Sequence, residues 1–240
     1  MPERNSQPAH RSIAIAGNIG AGKSTLVEFL SRTYGIRPFY EPSEDNPYLP
    51  DFYRDMKRWA FHSQIYFLAH KFRIHQELDR MPGVVVLDRT IFEDAEIFAT
   101  ALHDMRKIDR RDWETYCAFY RSILDAIKPP DLMIYLRCSM RTLRQRIRLR
   151  GRKMEQDVPL SYLKRLDRLY EDWIDRYDLG EKLVLETDRL DYIHDLVYRL
   201  DVMQRIEAVL PPGVPRPATG DSEQAGGQPA ADDQHQRRHR

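Results

Sequence analysis

The 240-residue chain has only two cysteines, Cys117 and Cys138, far apart and without metal-ligand spacing around either. That scarcity excludes a disulfide framework and fits a reducing compartment in which both thiols are packing residues. No stretch approaches the roughly 18 consecutive apolar residues of a membrane span. The opening Met-Pro-Glu-Arg-Asn-Ser-Gln also lacks an apolar signal core. A cytoplasmic address away from membranes is the expectation. Charge of one sign is missing as well: 38 Lys and Arg against 37 Asp and Glu leave a formal net charge of +1. Without a global field for nucleic acid, the expected partners are small molecules. There is no internal repeat, and low complexity is confined to the tail.

What is present is enough for one buried domain, with 42% hydrophobic residues. Residues 1–10 are polar, and 211–240 are Pro, Gly, Ala, Gln, Asp and Arg without hydrophobic period. Neither end can offset its ordering entropy by burial, so disordered ends should flank a domain over 11–210. Within it, β-rich runs at Ser12–Ala16, Arg37–Tyr40, Val84–Leu87, Leu132–Leu136 and Leu183–Leu185 alternate with segments of helical period. Those segments are Leu49–Leu78, Ile91–His103, Arg110–Ile127, Met140–Arg150, Leu160–Tyr177 and Tyr192–Val209. The alternation predicts an α/β fold, a central parallel sheet of about five strands flanked by helices. Leu49–Leu78 reads as a long helix or helix pair with an apolar stripe through Trp59, Ile65, Leu68 and Phe72. It is closed by Pro82-Gly83 and is long enough to wall a pocket.

Between the first strand and its helix lies Gly17-Asn18-Ile19-Gly20-Ala21-Gly22-Lys23-Ser24-Thr25, a complete G-x-x-x-x-G-K-[ST] loop. Its glycines let backbone N–H groups turn toward phosphates, and the helix adds its positive end. Lys23 should reach the β- and γ-phosphates of ATP, and Ser24 should ligate Mg²⁺. The apolar run Val84–Leu87 delivers Asp88 to the strand edge where ligands bind in open parallel sheets. Asp88 there can hold the metal through water, act as a base, or cap the next helix. Arg89 beside it can neutralise charge on the transferred group or position the attacking hydroxyl; its plainer alternative is an ion pair with Asp88 or Glu41. Glu41 ends a strand-like run beside the loop, within reach of an acceptor hydroxyl. Gln64, on the long helix among apolar neighbours, has the donor and acceptor edges that suit bidentate contact with a nucleobase.

A phosphate loop fixes the donor and leaves the acceptor open. An Asn-Lys-x-Asp guanine motif, an Asp-x-x-Gly switch and a second nucleotide module are all absent, which favours a small-molecule kinase. From about Ile13 to Leu200 the chain resembles the deoxyribonucleoside kinase family. The matching pieces are the phosphate loop, Tyr40-Glu41-Pro42, Arg58–Tyr66, Asp88-Arg89-Thr90, and Arg146–Arg152 leading to Val158-Pro159-Leu160. Glu41–Tyr48 and Asp88–Ala95 look most like its bacterial deoxyadenosine and deoxyguanosine kinases.

The resemblance implies a P-loop kinase fold with an arginine-rich lid, and a homodimer to which helical faces such as Leu160–Tyr177 contribute. It implies transfer of the γ-phosphate of ATP to the 5′-hydroxyl of a deoxynucleoside, with Glu41 as base and Asp88 as second candidate. Tyr53 and Glu155 are implied at the sugar 3′-hydroxyl, with Tyr53 crowding the 2′ carbon. Asp94 is implied in base choice together with Lys71, where the family usually has arginine; lysine lacks the planar two-pronged contact, so that pairing should be looser or rearranged. Phe92 or Phe98 should wall the base. Arg144, Arg146, Arg148, Arg150 and Arg152 alternate so that only one set can face ATP, and the resemblance puts Arg146, Arg150 and Arg152 in the lid. Adenine is expected against Thr187–Asp191. The nearest rival is a thymidylate-type monophosphate kinase, against which Glu41 argues by repelling an acceptor phosphate; a rival of another class is an inactive kinase-fold binding subunit.

Overall fold

A computed structural model describes residues 11–43, 45–78, 81–152, 155, 158–188 and 196–215. The expectations for residues 1–10, for the tail from 216, for the first turn of the last helix and for 189–191 of the adenine loop lie outside these.

Five strands form one sheet: β1 Arg11–Ala16, β2 Arg37–Phe39, β3 Val84–Asp88, β4 Leu132–Arg137 and β5 Glu181–Glu186. The order is β2-β3-β1-β4-β5, and every neighbour pair is parallel. Central β1 is buried from Ser12 to Ala16, as a strand covered on both faces must be. Register is set by pairs such as Ile15 with Asp88 and Ile15 with Ile134. Because β1 lies between β3 and β4, the chain leaves it toward one side of the sheet and later returns to the other. A crevice therefore opens beyond the carboxyl ends of β1 and β3.

The helices are α1 Lys23–Tyr34, α2 Leu49–Arg54, α3 Met56–Leu78, α4 Ile91–Glu93, α5 Thr100–Asp104, α6 Arg110–Leu124, α7 Met140–Arg150, α8 Leu160–Arg176 and α9 Leu196–Glu207, with a π-helical segment at Asp94–Ala99 between α4 and α5. The run read as one helix or a pair is a pair. Asp55 leaves helical geometry at φ −140°, and its carboxylate accepts the Arg58 N–H at 3.2 Å, which starts α3. Ser139 caps α7 through the Thr142 N–H, and Gly151 ends it in the left-handed region.

One core layer packs α3, the π segment, α6 and α8 on one face of the sheet; the other packs α1 with Val202 and Ile206 of α9 on the opposite face. Leu210 and Val214 also pack on this second layer, so core contacts extend past the boundary expected at 210. The apolar stripe of α8 is consumed internally: Tyr162, Leu163, Leu166, Tyr170, Trp173 and Ile174 are all buried in the chain's own core, so any contribution of this helix to a dimer would come from its other faces. Its periodicity recorded burial without saying against what. Among the described residues no helix is long and apolar enough to cross a membrane.

The phosphate loop is pressed against α7. A Cβ on Gly20, which has φ +84°, would meet the Ile147 side chain at 2.9 Å and the Leu143 carbonyl at 3.0 Å. Gly20→Ala should therefore lower unfolding free energy by about 2 kcal/mol or more, from left-handed strain plus overpacking. Urea titration checks this; an unchanged midpoint would show that α7 yields freely.

Candidate active site

Three strand ends meet in the crevice: the phosphate loop after β1, Tyr40-Glu41 after β2, and Asp88-Arg89 at the end of β3. They enclose a cavity of about 430 Å³ that also takes in Tyr53, Gln64, Asp94, Phe98, Arg150, Arg152 and Glu155. This is the size of a small-molecule site.

At the phosphate end, the Lys23 ammonium donates to the Asn18 carbonyl at 3.0 Å across the loop. Burial and the neighbouring Arg89 bring its pKa down to about 8, against the pull of Asp88 and Glu41. The Asn18 amide braces the loop, donating to the Leu163 carbonyl of α8 at 3.1 Å and accepting the Ile19 N–H at 2.8 Å. Ser24 donates to Asp88 Oδ2 at 2.6 Å, while the second oxygen, Oδ1, is buried with no hydrogen-bond partner. Asp88 is not the cap of the next helix: Thr90 is, accepting the Glu93 N–H. Thr25 is exposed and stands outside the cavity lining.

Arg89 occupies the centre. Its backbone is left-handed at φ 68°, held by an N–H bond to the Ile15 carbonyl at 3.1 Å. The guanidinium donates to Glu41 Oε2 at 2.5 Å and to the Gly17 carbonyl at 3.4 Å, and lies 4.3 Å over the Phe98 ring. The ion pair set out above as the plainer reading of Arg89 thus exists, with Glu41 and inside the cavity. Glu41 also faces Lys71 at 3.6 Å. Burial alone would raise the Glu41 pKa, but Arg89, Lys71 and Lys23 outweigh it and hold the carboxyl at about 2.

Lys71 stands behind this wall, bonded to Asp94 Oδ1 at 2.9 Å and to the Thr90 carbonyl at 3.4 Å. One ammonium thus faces both Asp94 and Glu41. Burial raises the Asp94 carboxyl to about 6 despite Lys71. Asp94 Oδ2 and Gln64 Oε1 are buried without partners, and both residues line the cavity. Phe98, four residues after Asp94 in the π segment, belongs to the core and also lines the cavity; Phe92 is a core residue outside the lining. Phe67 and Tyr162 line the cavity too, with nothing in the sequence to separate them from ordinary core.

Glu155 is buried and pairs with Arg150 and Arg152, so these two lid arginines and the carboxylate form one wall near Tyr53. Burial and Glu155 together push the Tyr53 phenol upward. Arg146 is elsewhere, behind the loop, donating to the Ala21 carbonyl at 3.0 Å and the Thr187 carbonyl at 2.5 Å. Arg144 and Arg148 are exposed. Sequence reasoning passed over Glu93, a fully buried carboxylate against the loop, although Thr90-x-x-Glu93 is a readable capping-box pattern.

A phosphate cradle, an oxygen-only pair at Ser24 and Asp88, a carboxylate kept ionised, and unpartnered amide and carboxylate oxygens further in make up a site for phosphoryl transfer to a polar acceptor. Comparison with known proteins agrees. The deoxynucleoside kinase family model matches residues 13–211. The chain is similar to the deoxyadenosine/deoxycytidine kinase of Bacillus subtilis, 34% identical over 205 residues, covering 85% of this chain and 94% of that one. It is similar to the deoxyguanosine kinase of Lactobacillus johnsonii, 38% identical over 208 residues, covering 82% and 92%. Its fold is similar to that of the deoxyadenosine kinase from M. mycoides with bound dATP, with TM-score 0.71 and 32% identity, covering 81% of this chain and 100% of that one.

The Glu41 charge gives a pH test. With a folded pKa of about 2 against an ordinary 4.5, its contribution to stability is full above the unfolded value and is lost as pH falls through the folded one. Between pH 6 and 3, wild type should therefore lose more stability than Glu41→Gln in parallel denaturant titrations; superimposable losses would contradict the assigned charge.

The fold, the cavity and these matches have one meaning: the chain belongs to the deoxynucleoside kinase family, an ATP-dependent phosphotransferase of the P-loop fold.

Proposed function

We propose that this kinase phosphorylates the 5′-hydroxyl of a purine deoxynucleoside, deoxyadenosine or deoxyguanosine, and takes deoxycytidine as a further acceptor. The observation that carries the reading is the pair of unpartnered buried oxygens, Gln64 Oε1 and Asp94 Oδ2, on two residues that line the cavity. A buried acceptor without a donor costs roughly 1–3 kcal/mol, a cost that the exocyclic amino group of adenine, guanine or cytosine, absent from thymine, removes for both oxygens. The relatives named above, by their names, act on deoxyadenosine, deoxycytidine and deoxyguanosine. Family membership, not the cavity alone, disfavours the thymidylate-type and inactive alternatives.

In this reading Glu41 orients the acceptor hydroxyl and takes its proton late, as the loose transition state of phosphoryl transfer requires. Its low pKa does not oppose that role, because positioning carries most of the catalysis. Arg89 neutralises charge on the transferred group, Lys23 meets the β- and γ-phosphates, and Arg150 and Arg152 close over them and exclude water. Tyr53 and Glu155 hold the sugar. Ser24 and Asp88 fit Mg²⁺: both offer hard oxygens, and Asp88 Oδ1 has no protein partner. When bound, the ion neutralises the β- and γ-phosphate oxygens. The reading takes the protein as a cytoplasmic homodimer that binds no nucleic acid, with its dimer surface on elements other than the internally buried stripe of α8.

Asp94→Ala should lower kcat/KM for deoxyadenosine and deoxyguanosine by at least about tenfold, the loss of one charge-assisted contact, and raise the relative rate with thymidine. Steady-state rates at fixed Mg-ATP read this, and unchanged base ratios would remove Asp94 from base recognition.

A further inference from the structure

We propose that Glu93 is a positioning residue for phosphoryl transfer, holding Arg89 and the first glycine of the phosphate loop in fixed relation. The inference rests on the reading above that Arg89 acts on the transferred group.

Glu93 is 0% exposed, and its two oxygens accept four hydrogen bonds from three separate parts of the chain. Oε2 accepts the Thr90 N–H at 2.8 Å and the Thr90 hydroxyl at 3.3 Å. Oε1 accepts the Tyr170 hydroxyl of α8 at 2.9 Å and the Gly17 N–H at 3.4 Å. Capping alone does not account for this. A capping interaction contributes about 1 kcal/mol, whereas burying a carboxylate costs several kcal/mol before its partners compensate. A solvent-facing glutamate would cap as well.

The partners explain the burial. Arg89 is a non-glycine residue at φ 68°, a conformation that persists only where the surroundings over-determine it. On its N-terminal side it is tied to the Ile15 carbonyl, and on its C-terminal side the next N–H, that of Thr90, is tied to Glu93. Gly17 is gripped twice: its carbonyl accepts from the Arg89 guanidinium and its N–H donates to Glu93. One carboxylate therefore fixes the backbone that aims Arg89 to the glycine that opens the phosphate loop, and Tyr170 anchors both to α8. Burial raises the Glu93 carboxyl above the usual carboxylate range, and Arg89 and Lys71 oppose that rise by favouring its ionised form.

Glutamine at this position keeps the shape but turns an NH₂ toward two donors, so one of the two ties must break. Misplacement of catalytic groups on the ångström scale costs up to roughly 100-fold in rate. Glu93→Gln should lower kcat by between about tenfold and 100-fold while leaving the deoxynucleoside KM within about threefold, with kcat measured where urea titration shows each variant folded. Tyr170→Phe, which removes only the α8 anchor, should lose less. The decisive measurement is a double-mutant cycle with Arg89→Lys: if Glu93 acts through Arg89, Glu93→Gln costs little further in that background. Wild-type kcat in folded Glu93→Gln, or multiplicative losses in the cycle, would overturn the proposal. Should Glu93→Gln not fold, the same cycle run with Tyr170→Phe decides, additivity overturning the proposal and non-additivity supporting it. If wild type phosphorylates no deoxynucleoside, the functional reading beneath the proposal fails first, and that result is distinct from either.

Discussion

The 2.5 Å pairing of Arg89 with Glu41 joins the ends of β3 and β2 inside the cavity, and the arrangement of the whole site depends on it. Two charges taken out of water lose several kcal/mol of hydration each, which only close pairing and further hydrogen bonds compensate. The remaining partners follow from that demand. Lys71 serves Glu41 and Asp94 together, Gly17 accepts from Arg89, and Phe98 offers its ring face to the guanidinium. Removing one member leaves an uncompensated buried charge, so the cluster is held as a unit. Its specificity of geometry is the useful product: an ionised carboxylate, a cation and a phosphate cradle in one small volume.

Topology makes the cluster possible. The order β2-β3-β1-β4-β5 brings the ends of β1, β2 and β3 side by side although long helical segments separate them in the chain. The remaining walls come from α3, the π segment and the α7–α8 connection, each approaching from the helical layer. Asp94 and Phe98, four residues apart in the π segment, share a helical face and both line the cavity, and π turns are frequent at functional sites. Glu155 draws Arg150 and Arg152 into the same wall, so the lid is tied to the acceptor side through a carboxylate.

Much of this was legible in the sequence because local patterns carry it. Five apolar β runs separated by helical periods predict a parallel sheet, and all five strands lie where they were read. The phosphate loop, Asp88 and Arg89 announce themselves as strand-end chemistry, and the cavity brings them together with Glu41, Tyr53, Gln64, Asp94 and Glu155. Arg146 was placed in the lid by the family resemblance, which does not show that α7 packs Gly20 so closely that Arg146 lies behind the loop while Arg150 lines the cavity. Phe92 and Phe98 both read as apolar positions of one helical segment, and only packing separates the core residue from the one that also lines the cavity. Glu93 was hidden because a capping box ordinarily faces water, and only tertiary packing buries it. The apolar stripe of α8 could not be assigned to core or partner from sequence, since it looks the same against either; its residues are buried in the chain's own core.

The central claim is that the cavity accepts a deoxynucleoside and that Asp94 and Gln64 choose its base. Turnover of deoxyadenosine, deoxyguanosine, deoxycytidine, thymidine and deoxyadenosine monophosphate, each at one Mg-ATP concentration, tests it most directly. The account predicts the highest kcat/KM for a purine deoxynucleoside, a lower value for deoxycytidine and negligible turnover of the monophosphate. Preference for thymidine, or faster turnover of the monophosphate than of any nucleoside, would contradict it.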